Sequence, residues 1–268
     1  MTATPGKIVR MHSTGAPDVL KIEDMEIGPP MPGEVQVQHK AIGLNFIEVY
    51  WRSGVYPLPL PTCIGNEGAG VVLAVGEGVN DFKPGDRVAY GSGPIGSYST
   101  VRNMPAHPLV KIPDAIDFET AAALVMTYGT SYYALKDRAQ LKAGESLLVL
   151  GAAGGVGVAA VELGKAMGAH VIAAASTNDK VQFALEAGAD NGLIYPSGKM
   201  DKAAQKALSG ELSAADALDV LGRGALLALH DFESELPPGQ RDRGQAIQPY
   251  HVRQPRPLSG QILRAVLE

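Results

Sequence analysis

The sequence predicts two successive architectures: a β-rich, antiparallel, barrel-like domain, then an α/β domain built on a doubly wound parallel sheet. Three observations predict it. Short strands separated by turns dominate the chain before Phe118, the patterning turns helical from there, and a glycine-rich turn at residues 151–157 joins an apolar strand to a helical run.

Taken in order, residues 33–38 (Gly-Glu-Val-Gln-Val-Gln) alternate with the period of a half-buried strand. Residues 70–75 (Gly-Val-Val-Leu-Ala-Val) and 87–90 (Arg-Val-Ala-Tyr) are short strands, separated by the turn-forming run Lys-Pro-Gly-Asp at 83–86. Asp117 is placed to cap a helix with residues 120–125 as its body, and Gly129 ends or breaks it. A second helical run, 130–139, leads to the apolar strand at 147. This organisation divides the chain into a domain at 1–125, a second at 126–230 and an atypical tail at 231–268.

Residues 147–150 (Leu-Leu-Val-Leu) read as a buried parallel strand, 158–167 as the helix after it, and 171–175 (Val-Ile-Ala-Ala-Ala) as a second strand. Between strand and helix, Gly151, Gly154 and Gly157 form a tight turn, with Gly155 and Val156 opening the helix. Exposed N–H groups of a first helical turn attract a pyrophosphate, so this order of elements predicts a dinucleotide site. Glycine-rich turns also occur as plain connections; the strand, turn, helix and second strand in sequence favour the ligand.

In a site for the unphosphorylated nicotinamide cofactor, an acid about twenty residues on binds the ribose 2'-hydroxyl. This chain has none there. Its second strand runs into Ser176, Thr177, Asn178, Asp179 and Lys180, where hydroxyls and a lysine suit a 2'-phosphate. NADPH is therefore favoured over NADH. The plainer roles, a helix cap at Ser176 or Thr177 and a solvated Lys180, are compatible with that one.

Composition narrows the partners. At 268 residues, 46% hydrophobic and 19% charged, the chain has the make-up of a soluble globular protein. A net charge of -5 provides no general basic field for nucleic acid or anionic membrane, so neither partner is expected. The single cysteine, Cys63, precludes an internal disulfide, and the N-terminal residues lack a signal-peptide core, so cytoplasm is the expected location. Cys63 reads as an ordinary small buried residue, and the histidines show no metal-ligand spacing.

Several segments carry a more specific resemblance: 43–50 (Gly-Leu-Asn-Phe-Ile-Glu-Val-Tyr), 52–57 (Arg-Ser-Gly-Val-Tyr-Pro), 65–72 (Gly-Asn-Glu-Gly-Ala-Gly-Val-Val), 85–88, 121–124, 152–157 and 188–190. Through them, over residues 1 to about 198, the chain resembles the quinone oxidoreductases of the zinc-free medium-chain dehydrogenase/reductase superfamily, the group that includes zeta-crystallin. The resemblance implies a GroES-like N-terminal domain on the substrate side, a Rossmann domain for NADPH, and hydride transfer in a cleft between them to a quinone or an α,β-unsaturated carbonyl. It also implies a homodimer. Zinc relatives carry a cysteine where this chain has Asn45, a histidine where it has Asn66, and four close cysteines in a structural lobe. With those ligands missing, metal-free hydride transfer is expected, the cofactor carrying the chemistry.

Matched residue by residue, the resemblance places Asn45 at the nicotinamide carboxamide or substrate carbonyl, Tyr50, Arg52 and Tyr56 on the substrate side, and Thr130 near the nicotinamide. Gly151, Gly154, Gly155, Val156 and Gly157 face the pyrophosphate, Ser176 and Lys180 the 2'-phosphate, and Tyr195 the adenosine end. Plainer roles stand beside these: Asn45 closing a turn, the tyrosines packing, Arg52 in a surface ion pair. Glu67 is expected to be a hydrogen-bonded internal carboxylate with no catalytic part.

After about residue 198 the resemblance fades. A doubly wound dinucleotide fold normally has six parallel strands, whereas only 147–150, 171–175 and 192–195 are readable, with 225–229 a weaker fourth. The sheet is thus expected to be incomplete, with an exposed edge prone to pairing. Residues 214–221 faintly resemble the family's C-terminal helix, and the proline-rich, aperiodic tail reads as disordered. Three functions remain open: an NADPH-dependent quinone or enone reductase, a non-catalytic nucleotide-binding or crystallin-like protein, and an inactive relative.

Overall fold

Antiparallel ladders begin with the first strand. The structure, a computed structural model, describes residues 3–194 and the backbone of 225–227. In chain order its first part contains β1 (Thr4–Met11), a 3-10 turn at Pro17–Val19, β2 (Leu20–Ile27), β3 (Glu34–Gly43), α1 (Phe46–Ser53), β4 (Thr62–Cys63), β5 (Glu67–Val75), β6 (Arg87–Tyr90), β7 (Val101–Pro105) and β8 (Val110–Lys111). Strands β7-β3-β5-β6-β8 form one sheet and β2-β1-β4 a second. A bridge from Ile8 to Ser99 and the bonds Val9 N–H to Tyr98 O and Thr100 N–H to Lys7 O stitch the two into a partly open barrel.

The alternation of residues 33–38 turns Val35 and Val37 into a core shared with Val72, Val88, Tyr90, Met104 and Leu109, all buried. A smaller core gathers Met11, Trp51 and Ile64, so the apolar face of α1 is spent on holding that helix against the β2-β1-β4 sheet. Gly54, at φ 81°, ends α1 in the left-handed conformation. The β3–β5 ladder slips register twice, and at the second slip a Cβ on Gly70 would overlap the Gln38 carbonyl.

The chain forms two compact units that part between Gly129 and Thr130, a few residues beyond the boundary at 125 read from the sequence. Asp117 caps α2 (Phe118–Ala122) by accepting from Thr120 N–H at 2.6 Å. Gly129, however, does not break the helical run. The interruption falls at residues 123–124, and α3 (Val125–Tyr132) passes through Gly129 into a π-helical segment, Tyr133–Arg138. The reason lies in tertiary structure: the Glu67 carboxylate accepts from Met126 N–H at 2.7 Å and so anchors the new helix start to β5.

The second unit contains β9 (Ser146–Leu150), α4 (Gly155–Ala166), β10 (His170–Ala175), α5 (Asn178–Glu186), β11 (Asn191–Ile194) and β12 (Ala225–Leu227). All its strand pairs are parallel, in the order β11-β10-β9-β12. The weak fourth strand is thus present over 225–227, beside β9. Chain order proceeds outward from β9 to β11 and returns on the other side, the first four positions of the doubly wound order. Leu147, Leu148 and Val149 are buried, as are most residues of α4, which is the two-sided burial that gave β9 its unbroken apolar run. Tyr195, the helix-like run 214–221 and the tail 231–268 lie outside the described residues. Among the described residues, no helix is long and apolar enough to cross a membrane.

Changing Gly70 to Ala should destabilise the protein by about 2–3 kcal/mol, because the overlap is with backbone that cannot step aside. Gly28, with nothing near its would-be Cβ, should accept Ala within ~0.5 kcal/mol. Urea unfolding of the two variants checks both.

Candidate functional site

The glycine turn is dictated by close approach. Gly151 leaves β9 at φ 63°, a conformation that side-chain-bearing residues rarely adopt. A Cβ on Gly157 would overlap the Gly151 carbonyl oxygen and come within 2.9 Å of Ala152 Cα, so α4 can start this near the strand end only with glycine there. Gly154 stands at the N-cap with no side chain to bond the first-turn N–H groups, and Gly154 and Gly155 are exposed. The start of α4 therefore offers uncapped backbone donors and a helix dipole to a ligand. Strand order reverses between β9 and β12, so the turn emerges at the switch point where open α/β sheets bind nucleotides.

Ser176 follows the end of β10 on the same carboxyl edge of the sheet, and Lys180 Nζ donates to its hydroxyl at 3.3 Å. Thr177 caps α5, its hydroxyl accepting from Lys180 N–H at 3.4 Å. The cap is thus Thr177, leaving the Ser176 side chain and the exposed Lys180 ammonium side by side. Thr130 is exposed on α3. Its neighbour Ser131, fully buried, donates to the Val156 carbonyl at 2.8 Å and ties α3 to the first turn of α4. Sequence reading missed Ser131, for which a lone serine in a helical run supplies no signal.

In the first unit, Asn45, Tyr50, Arg52 and Tyr56 belong to α1 and its flanks. Asn45 is the N-cap; its backbone N–H donates to Glu48 Oε2 at 2.8 Å and its side-chain Nδ2 to Glu67 Oε2 at 3.0 Å. Phe46, Tyr50 and Tyr56 form an aromatic ladder, with ring centroids 5.1 Å and 5.3 Å apart. Phe46 is exposed and Tyr56 packs on the Met11–Trp51–Ile64 core. Arg52 Nη1 donates to the Gly15 carbonyl while Gly15 N–H donates back to Arg52 O, which ties the loop after β1 to α1. Glu48 also escaped the sequence reading. The signal was present, since an acid three residues after an Asn N-cap is a capping arrangement.

With this geometry in place, the comparisons with known proteins decide the family. Residues 31–114 match the alcohol dehydrogenase GroES-like domain, and residues 155–229 the zinc-binding dehydrogenase family. The chain belongs to the medium-chain dehydrogenase/reductase superfamily. It is 46% identical over 190 residues to a quinone oxidoreductase of Pseudomonas aeruginosa, covering 70% of this chain and 58% of that protein. A 2-haloacrylate reductase of Burkholderia is 37% identical over 192 residues, 69% of this chain and 57% of the relative. The crystal structure of Escherichia coli quinone oxidoreductase complexed with NADPH superimposes with a TM-score of 0.70 at 41% identity, over 76% of this chain and 63% of that one. The chain thus spans somewhat more than half the length of the curated relatives it matches.

This superfamily member carries amides at the two positions where zinc relatives carry ligands. Asn45 is engaged as above, and Asn66 N–H donates to Glu48 Oε1 at 3.1 Å. Among the described residues, no three of His, Cys, Asp or Glu converge to hold a metal. What surrounds Asn45 instead is a pair of buried carboxylates. Glu48 is 3% exposed and Glu67 1%. Burial raises the Glu48 carboxyl, opposed by bonds from Tyr98, Asn45 and Asn66. Burial likewise pushes Glu67 up to about 7, with the Met126 and Asn45 donors pulling down and Glu48 adding repulsion. Across β3, His39 sits between the Ser99 carbonyl at 2.6 Å and the Tyr90 hydroxyl at 2.7 Å, and burial lowers it to about 4.

These two groups bend stability in opposite directions. Glu67, raised from 4.5 to about 7, contributes stability in full below pH 4.5 and loses it as pH rises through 7. His39, lowered from 6.5 to about 4, contributes in full above pH 6.5 and loses it as pH falls through 4. Between pH 4.5 and 7 the wild type should lose about 3 kcal/mol relative to Glu67→Gln, and the sign should reverse for His39→Gln between 6.5 and 4. Urea unfolding of the three proteins across that range measures both slopes.

Proposed function

We propose that this chain is an NADPH-dependent, metal-independent reductase of quinones or α,β-unsaturated carbonyls. The observation that carries the reading is the uncapped glycine turn at the switch point of the parallel sheet, followed one strand over by the Ser176–Lys180 pair. The relatives' names, quinone oxidoreductase and 2-haloacrylate reductase, and the NADPH of the Escherichia coli structure support it.

The residues fit that group. Backbone N–H groups of Gly155, Val156 and Gly157 would hold the pyrophosphate, and glycine at 157 lets the helix begin this near the Gly151 backbone. Lys180 and Ser176 bind the 2'-phosphate by charge-assisted hydrogen bonds. NADPH supplies a hydride; the protein supplies position and a polar partner for the acceptor carbonyl. Asn45 is that partner, or the partner of the nicotinamide carboxamide. Tyr50 and Tyr56 make an aromatic wall beside it, and Phe46, exposed at the start of α1, extends the wall. Arg52, which holds the loop at Gly15, keeps its substrate-side place on the resemblance alone. Thr130 near the nicotinamide, and Tyr195 at the adenosine end, rest on the resemblance alone. Cytoplasmic location, a homodimer and the lack of nucleic-acid or membrane partners belong to the same proposal.

Titration with NADPH and with NADH, followed by cofactor fluorescence and the thermal midpoint, tests the reading. NADPH should raise the midpoint and NADH barely move it, since a ligand bound only by the native state stabilises it. Lys180→Ala should weaken NADPH about tenfold and leave NADH unchanged, whereas Gly157→Ala should abolish binding of both. NADPH oxidation with 1,4-benzoquinone then separates a reductase from a nucleotide-binding protein without turnover. No shift with either nucleotide overturns the reading.

A further inference from the structure

The Asn45 amide has two chemically opposite ends, and a neighbour dictates which faces inward. Asn45 Nδ2 donates to Glu67 Oε2 at 3.0 Å, and Glu67 Oε1 accepts from Met126 N–H at 2.7 Å. An ionised carboxylate only accepts, so the NH2 end must face Glu67 and the carbonyl end must face away. A protonated carboxyl also donates. The amide can then turn about its last torsion, its carbonyl accepting from Glu67; the two ends are nearly equal in size, and the turn exchanges the capping-box contact between the Asn45 side chain and the Glu48 backbone for the bond from Glu67.

We propose that Glu67 is the positioning residue for Asn45: its carboxylate sets which end of the Asn45 amide is offered to the nicotinamide carboxamide or the acceptor carbonyl, and proton uptake on Glu67 reverses the amide. The proposal rests on the ligand-contact role given to Asn45 above.

The carboxylate has no other place to go. It lies under Gly43, where a Cβ would come within 2.6 Å of Glu67 Oε2 and would also overlap the Ala122 carbonyl. The groups around it come from every packed element. Glu48 on α1 repels it, but that carboxylate is itself occupied by Asn45 N–H, Asn66 N–H and the Tyr98 hydroxyl. Tyr90 on β6 bonds His39 on β3 and lies under the Arg102 guanidinium of β7, 5.6 Å from its ring. Gly68, next to Glu67, is packed on the His39 ring. From α2 comes the Ala122 carbonyl, with Glu119 exposed, and from α3 the Met126 N–H. No described cation bonds Glu67, so burial dominates and holds its titration at about 7, within the working range of a cell. Above that pH the amide offers an acceptor, suited to a carboxamide NH2; below it, a donor, suited to a carbonyl gaining negative charge.

The test needs no nucleotide to begin. In 15N-labelled protein, the Asn45 side-chain NH2 pair, assigned by its loss in Asn45→Ala, is followed from pH 5.5 to 8.5. It should move with a single midpoint near 7, and should not titrate in Glu67→Gln, whose amide needs no proton to donate or accept. Glu67→Asp, which withdraws the charge by one methylene, guards against a folding failure in Gln: its Asn45 pair should lose most of the titration amplitude. The NADPH dissociation constant should change about tenfold across the midpoint in wild type and stay flat in Glu67→Gln. An Asn45 pair that does not titrate in wild type, or titrates alike in all three proteins, overturns the proposal. NADPH binding with the same pH profile in wild type and Glu67→Gln overturns positioning while leaving the reductase reading intact. A clean Asn45 titration with no NADPH binding supports the Glu67–Asn45 coupling and overturns the reductase reading.

Discussion

A buried acid organises the functional end of the N-terminal unit. Glu67 sits at the start of β5, yet its two oxygens bind the N-cap residue of α1 and the first turn of α3. A carboxyl removed from water is expensive unless donors replace the lost solvent, and here the donors are the backbone and side chain of the elements that must be placed. Glu48 repeats the arrangement one helical turn away, collecting Asn45, Asn66 and Tyr98. Loss of water pushes both acids toward their neutral forms despite the donors, and repulsion from Glu48 adds to it at Glu67. Loss of either would release Asn45 from one of its two tethers.

The second unit depends on an opposite kind of constraint, the lack of side chains. At Gly151 the backbone needs a positive φ, and at Gly157 the helix needs to lie against the turn without a Cβ between. Both demands arise because α4 packs on β9 and β10 through Ala159, Ala160 and Leu163, all fully buried, leaving no slack at its N-terminal end. Gly164 continues the same logic deeper, where a Cβ would press within 2.6 Å of a Leu147 methyl. The anion-binding character of the turn is therefore a by-product of packing geometry as much as of the dipole: a helix brought this near a strand end, with glycine at its cap, leaves its first N–H groups for a ligand.

What was legible in the sequence was whatever depends on local period and residue type. The alternation at 33–38, the run 147–150, the cap at Asp117 and the glycine turn each follow from neighbours in the chain, and each appears where the residues placed it. The strands β1 and β2 went unread because their charged faces, such as Lys21, Glu23 and Asp24, break no pattern a loop would not break; only their pairing with each other makes them strands. The helix break at 123–124 was misplaced to Gly129 because the cause lies fifty-nine positions away, in Glu67. The fourth parallel strand was weak in sequence because three residues of alternating meaning acquire their identity only by lying beside β9.

By itself the sequence determined the fold class, the glycine turn and the polar residues available to a phosphorylated nucleotide, since these rest on backbone permissiveness and side-chain chemistry that no distant residue alters. Tertiary structure alone decided how those residues are used. It bound Arg52 to a carbonyl, chose Thr177 rather than Ser176 as the cap, joined Ser131 to the glycine loop, and set Asn45 between two buried acids. Hydrogen-bond partners and desolvation depend on which groups meet in space, and a carboxylate such as Glu67 acquires its altered proton affinity only when the fold has taken away its water.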